Sequence, residues 1–324
     1  MADQGAVAAG PTTGAPIPVI EGVGLTRRFG ETTALDAATF TVPPGVTGLL
    51  GANGAGKTTL LGLVLGLHRP DDGRLRVLGL DPTKAGPEVR ARIGWSPEHH
   101  RLPPDTRAND LVRHVAQIHG LPRRAATNRA SDALWSVGLG EERFRPVGSM
   151  STGQRQRVKL AQAIAHDPTL VLLDEPTDGL DPVQREDMLA LVRRISSDFG
   201  IDVIVSSHVL EEVERICDSA IILREGRVVA HGSIGELTGQ SRGLSVEVDD
   251  GPHEVAGRLL LRGFEVSVDG FRLTVHDLPD LPPAVARDTA RDAVRDTVVD
   301  AGVGIRRLSD RTATLEDIFL EVSA

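Results

Sequence analysis

Gly51-Ala52-Asn53-Gly54-Ala55-Gly56-Lys57-Thr58 fits the pattern G-x-x-x-x-G-K-[ST], and its flanks make the match specific. Before it, Val46-Thr47-Gly48-Leu49-Leu50 is a short apolar run with the character of a strand. Behind it, the stretch from Lys57 to Leu67 puts Leu60, Leu61, Val64 and Leu67 on one face of a helix. A strand, a glycine-rich turn and a helix N-terminus in that order make a cradle for phosphate. The glycines let successive N–H groups wrap a triphosphate with no Cβ in the way, and the helix N-terminus favours the negative charge. Lys57 supplies a compact positive charge among the outer phosphates, and the Thr58 hydroxyl is a ligand for Mg²⁺. Of 36 basic residues only Lys57, Lys84 and Lys159 are lysines, so a lysine at this point is itself informative.

Strands and helices alternate outward from this turn. The stretch from Ala34 to Val42 is β-like, and Arg107 to Gly138 holds two helix-like segments around Gly120 and Pro122. Gln154 to His166 reads as a helix stopped by Pro168, and Val183 to Phe199 as another. Leu170-Val171-Leu172-Leu173 and Val203-Ile204-Val205 are continuous apolar strands between helices, the mark of a parallel sheet covered on both faces. The first of these ends in Asp174-Glu175. Asp174 is placed to hold Mg²⁺, directly or through water, and Glu175 to polarise an attacking water as general base.

With these elements and Met150-Ser151-Thr152-Gly153-Gln154 between them, residues 19–238 resemble the nucleotide-binding subunit of an ABC transporter. The resemblance implies a P-loop NTPase of the α/β class with a helical subdomain at about 99–165. It implies ATP and Mg²⁺ as cofactors, with Gly51, Asn53, Gly54, Ala55, Gly56, Lys57, Thr58 and Thr59 around the phosphates. Ser151, Gly153 and Gln154 match the family's signature segment, which reaches the γ-phosphate held by a second, head-to-tail copy; Thr152 stands where a glycine is usual. Gly179-Leu180-Asp181 matches the D-loop. His208, after Val205-Ser206-Ser207, matches the switch histidine. Phe29 falls where an aromatic stacks on adenine. Glu98, after Ile93-Gly94-Trp95-Ser96-Pro97, takes the place of the Q-loop glutamine, another group beside the metal and attacking water. The implied partner is a separate membrane-spanning permease. The implied place is the cytoplasmic side of the membrane, peripheral through that permease.

A polar, Gly-containing stretch from Thr238 to Gly243 marks a boundary, giving domains at 18–238 and 239–324 after a flexible tail at 1–17. Residues 239–324 carry 16 acids against 10 arginines, a net of -6 out of -9. The order there reads strand (244–248), helix (254–262), strand (264–268), strand (271–276), helix (284–301), strand (304–308) and a terminal helix from Leu315. That is the βαββαβ order of a ferredoxin-like α+β sandwich. This second domain resembles the C-terminal extension of drug- and antibiotic-type ABC exporters, down to the closing Thr314-Leu315-Glu316-Asp317-Ile318-Phe319-Leu320-Glu321. Export is therefore the expected direction, with an import motor as the alternative.

Composition narrows the remaining choices. Nine aromatic residues in 324 and a formal charge of -9 weigh against a nucleic-acid or ribosome-remodelling ATPase, the other class considered, and no nucleic-acid partner is expected. A single cysteine, Cys217, excludes an intramolecular disulfide framework and any multi-Cys metal site. His114 and His119, five apart, share no helix face, and Arg287-Asp288, Arg291-Asp292 and Arg295-Asp296 read as a solvated helix face.

Overall fold

Residues 46–50, 170–174 and 203–207 are buried at every position, which only a sheet covered on both faces allows. The computed structural model describes residues 17–98, 101–238, 241–276, 278, 283–312 and 314–321. The expected tail, apart from its last residue, and His99-His100 lie outside them. The chain divides into two units, Met1–Gly232 and Ser233–Ala324.

The first unit begins with β1 (Ile20–Phe29), β2 (Thr32–Val42), β3 (Val46–Leu50), α1 (Lys57–Val64), β4 (Asp72–Val77), α2 (Gly86–Ala91) and β5 (Ile93–Ser96). Three helices follow, α3 (Ala108–Ile118), α4 (Arg123–Ser136) and α5 (Thr152–Ile164). It ends with β6 (Leu170–Asp174), α6 (Pro182–Phe199), β7 (Asp202–Ser207), α7 (Leu210–Ile216), β8 (Ser219–Arg224) and β9 (Arg227–Ser233). Six strands form one sheet in the order β5-β6-β7-β3-β8-β9, with parallel pairing from β5 through to β8. An antiparallel sheet, β2-β1-β4, stands beside it in the same unit, and Phe40, Leu25, Leu49 and Leu61 share one core with it. Helices α3, α4 and α5 pack on one another as the helical part.

Helices α1 and α5 differ from the sequence expectation for identifiable reasons. Helix α1 stops at Val64 rather than Leu67, because Gly66 takes a left-handed φ of 66° and Leu67 turns back to donate to the Gly62 carbonyl at 2.9 Å. Leu67, expected on the buried face, is exposed. Helix α5 spans Thr152–Ile164, not Gln154–His166. Ser151 caps it by accepting from the Gln154 N–H at 3.2 Å, and the Gln154 side chain accepts from the Ser151 N–H at 3.1 Å. This reciprocal capping box starts the helix two residues early.

The second unit runs α8 (Ile234–Thr238), β10 (Ser241–Val248), α9 (Pro252–Leu261), β11 (Val266–Asp269), β12 (Arg272–His276), α10 (Pro283–Ala301), β13 (Ile305–Thr312) and α11 (Leu315–Glu321). The division falls at Gly232–Ser233 rather than at 238–239. Ser233 opens α8 with its own reciprocal cap to Glu236, and α8 packs against α11. The four strands are antiparallel in the order β11-β12-β10-β13, the sheet of a βαββαβ sandwich. Alternation decides its core: Leu244, Val246, Val248, Leu273 and Val275 point inward to Val255, Leu259 and Val294 of the helices. On α10, Arg291 pairs with Asp310 at 2.7 Å and Arg295 with Asp292 at 2.6 Å, exposed pairs of small energetic weight.

Candidate nucleotide-binding and hydrolytic site

Parallel pairing of β3, β6 and β7 brings three segments together at the carboxyl ends of these strands. There the loop 51–56 leaves β3, Asp174 ends β6, and His208 follows β7. Gly56 precedes α1 with φ 107°, and a Cβ there would sit 2.6 Å from the Ala34 carbonyl oxygen, so only glycine fits. No side chain caps α1, which leaves the orphan N–H groups of its first turn to a phosphate. Lys57 is buried; its Nζ donates to the Gly51 carbonyl at 2.7 Å and lies 3.0 Å from Glu175 Oε1.

Glu175 takes a left-handed φ of 47° just after β6, a conformation a side chain rarely adopts. Its backbone N–H donates to Ser206 Oγ at 3.0 Å, and the same hydroxyl donates to Asp174 Oδ1 at 2.5 Å. The register explains this, since Asp174 lies opposite Ser206 across the β6–β7 pair. The other Glu175 oxygen, Oε2, meets His208 Nδ1 at 2.9 Å, where a protonated Nδ1 donates. Oε1 of Glu175 has the Lys57 charge beside it but no hydrogen-bond donor with proper geometry, a buried oxygen with spare accepting capacity. Thr58 and Asp174 supply hard oxygen donors of the kind Mg²⁺ takes, and among the described residues no cluster of three or more His, Cys, Asp and Glu side chains forms a separate metal cage.

The other expected site residues stand on other elements. Ser151, Gly153 and Gln154 open α5, and a Cβ on Gly153 would lie 2.8 Å from Gln184 Oε1. The Ser151 and Gln154 side chains bond to each other's backbone rather than to Lys57 or Glu175. Phe29, at the end of β1, is 43% exposed; its ring lies 5.3 Å from the His68 ring, edge on, and the Arg27 guanidinium covers it at 4.6 Å. That is an available aromatic surface, not a core side chain. Glu98 follows β5, and its carbonyl accepts from the buried Lys159 Nζ at 2.9 Å.

Beside Glu98 lies a cavity of about 340 Å³ lined by Trp95, Pro97, His119, Lys159 and His166 among others. Burial lowers the Lys159 pKa, against the opposing pull of the Glu98 and Asp178 charges. His166 stacks on His119 with ring centroids 3.6 Å apart, and burial with the His119 neighbour lowers its pKa to about 4. Burial pushes the Cys217 thiol well above its ordinary range, as expected of a small core residue rather than a nucleophile.

Two residues near the site are not singled out by the sequence. Ser206 figures there only in the run between the apolar strand 203–205 and His208; its contacts become visible only once β6 and β7 pair in register. Glu212 is a buried acid on α7, accepting from Thr177 Oγ1 at 2.9 Å and Ser207 Oγ at 3.3 Å. Its place one turn before buried Ile216 is the available signal, since a carboxylate on an apolar stripe needs a partner.

A phosphate loop behind a parallel strand, acids closing the next strand but one, and a histidine following the strand between define a P-loop nucleoside triphosphatase. Comparison with known proteins carries this further. The ABC transporter family model matches residues 35–178. The chain is 34% identical over 316 residues to the Nod factor export ATP-binding protein I of Ralstonia nicotianae, covering 97% of this chain and 96% of that one. It is 36% identical over 228 residues to the methionine import ATP-binding protein MetN of Corynebacterium glutamicum, covering 67% of this chain and 63% of that one. A solved structure of cbiO1 from Clostridium perfringens, part of the ABC transporter complex cbiONQ, superposes with a TM-score of 0.63 at 26% identity over 76% of this chain and 97% of that one. The chain belongs to the ATP-binding subunits of the ABC transporter family, and it is an ATPase.

Proposed function

We propose that this subunit hydrolyses ATP to drive export through a separate membrane-spanning permease, from the cytoplasmic face of the membrane. Among the described residues no helix is long and apolar enough to cross a bilayer, which fits a subunit attached through a partner. The observation that carries the direction is coverage. The export relative aligns across both units, whereas the import relative aligns over about two thirds of the chain.

The residues divide the work by chemistry. Lys57 and the backbone of 51–59 bind the triphosphate, and Phe29 offers its exposed ring to the adenine. Thr58, Asp174 and Glu98 would hold Mg²⁺, which when bound would neutralise charge at the phosphates. The Glu175 carboxylate takes a proton from the attacking water; Lys57 beside Oε1 holds the carboxylate, and Ser206 Oγ holds the backbone N–H of the same residue. His208 Nδ1 holds that carboxylate, which leaves Nε2 of the same ring to contact the γ-phosphate. Ser151, Gly153 and Gln154, which open α5 rather than the helix behind the phosphate loop, complete the site of a second, head-to-tail copy.

The direction is tested in inverted membrane vesicles carrying the chain with its permease, supplied with ATP and a panel of labelled amphipathic compounds. ATP-dependent accumulation inside inverted vesicles is the expected result. Uptake only into right-side-out vesicles given internal ATP would make the subunit an import motor.

A further inference from the structure

Glu212 is a buried titratable group that nucleotide chemistry leaves unexplained. It lies on α7 with 5% of its surface exposed, and its hydrogen bonds go to the neighbours in sequence of Glu175 and His208. A carboxylate held out of water is destabilising unless hydrogen bonds replace the lost solvation. Here Oε2 accepts from two hydroxyls, Thr177 Oγ1 at 2.9 Å and Ser207 Oγ at 3.3 Å. Oε1 lies 3.2 Å from Arg185 Nε, an ion-pair contact whose angle does not make a hydrogen bond.

The identity of the two hydroxyl residues matters more than their number. Thr177 sits two residues beyond Glu175, and Ser207 immediately before His208. One carboxylate oxygen thus ties the segment carrying the base to the strand end carrying the histidine. Glu175 has a left-handed φ of 47°, a strained conformation that persists only where neighbours fix it from both sides. On the N-terminal side Ser206 Oγ accepts from its N–H at 3.0 Å; on the C-terminal side the Thr177–Glu212 bond anchors the turn. Ser207 Oγ also accepts from the Val209 N–H at 3.0 Å, so the backbone on both sides of His208 is fastened to the same hydroxyl.

We propose that Glu212 is a positioning residue for hydrolysis: by bonding Thr177 and Ser207 at once it holds Glu175 and His208 in mutual reach. The proposal rests on the reading of Glu175 as general base. Displacement of a catalytic group by about 1 Å costs up to about 10²-fold in rate. Glu212→Ala should therefore lower kcat by about 10- to 100-fold while ATP affinity stays within about 3-fold, since the phosphate loop is untouched.

The test is a double-mutant cycle on the full chain, reading kcat and ATP affinity for wild type, E212A, H208A and the double variant. If Glu212 acts through the Glu175–His208 pair, E212A should cost less than about 3-fold further in the H208A background, and E212Q, which keeps an accepting oxygen, should recover most of the rate. Multiplicative losses, an unchanged kcat in E212A, or a loss of ATP affinity matching the loss of rate would overturn it. If E212A fails to fold, Thr177→Val decides, because it removes only the 2.9 Å bond: reduced kcat with retained affinity supports the proposal, wild-type kcat sinks it. Glu175→Gln run alongside separates the two ideas. A wild-type rate in that variant removes the base itself, whereas an inactive E175Q beside a fully active E212A or T177V removes only the role of Glu212.

Discussion

Replacing His166 by glutamine should strip the first unit of part of its sensitivity to acid. His166 is 9% exposed, stacks on His119, and has Nε2 3.2 Å from the Ile93 carbonyl, while Nδ1 is buried with no partner. Its pKa in the folded chain is about 4, against an ordinary value of 6.5. Between those values the unfolded chain binds a proton that the folded chain refuses, so stability falls as pH falls through 6.5 and the loss levels off below about 4. A difference of this size corresponds to about 3 kcal/mol in all, or at most about 1.4 kcal/mol per pH unit. His119 stacks against it and its own pKa is also lowered by burial, so the comparison keeps His119 in both proteins. The amide of the H166Q variant would still donate toward the Ile93 carbonyl but cannot take up a proton. Both tryptophans, Trp95 and Trp135, lie in the first unit, so urea unfolding followed by their fluorescence reports on it directly. Measured from pH 7.5 to 4.5, wild type should lose its advantage over H166Q, or turn it into a deficit, by about 2–3 kcal/mol. A difference between the two proteins that is flat with pH would refute the buried, neutral assignment of this ring.

Three further outcomes follow from the nucleotide site. Lys57→Ala should weaken ATP binding itself by at least about 10-fold in a titration, because it removes a ground-state charge at the phosphates and leaves Glu175 Oε1 buried without its cation. Glu98→Ala should keep ATP affinity within about 3-fold yet lose most permease-stimulated turnover, with Glu98→Gln still active; equal stimulation in all three proteins would reduce Glu98 to an ordinary loop acid. Glu175→Gln protein should sediment as a dimer on adding Mg-ATP, and Ser151→Arg in that background should prevent it; a dimer unaffected by Ser151→Arg would remove the signature segment from the second copy's site.

The order of chemistry is legible in the sequence because phosphate loops, apolar parallel strands and their terminal acids are local patterns. Gly51 to Thr58 and Leu170 to Glu175 each carry their neighbours' identity in a few residues. The second unit is legible for the related reason that alternation in Leu244 to Val248 and Leu273 to Val275 allows only one face inward. What escapes depends on tertiary register or on capping. Ser206 acquires its function from lying opposite Asp174, a pairing no local pattern encodes. The start of α5 shifts because Ser151 and Gln154 form a capping box as well as matching a binding motif, and the same residues serve both purposes. The boundary shifts for a similar reason, the Ser233–Glu236 cap preceding the polar stretch that has the composition of a linker.

The claim on which the account depends is that Glu175, held by Lys57, Ser206 and His208, is the proton acceptor in ATP hydrolysis. Glu175→Gln preserves shape and hydrogen bonding but not basicity, so single-turnover hydrolysis of pre-bound Mg-ATP isolates the chemical step. The predicted result is unchanged ATP affinity with a rate lower by about 10²- to 10⁴-fold. Hydrolysis of bound ATP by Glu175→Gln at the wild-type rate would contradict it.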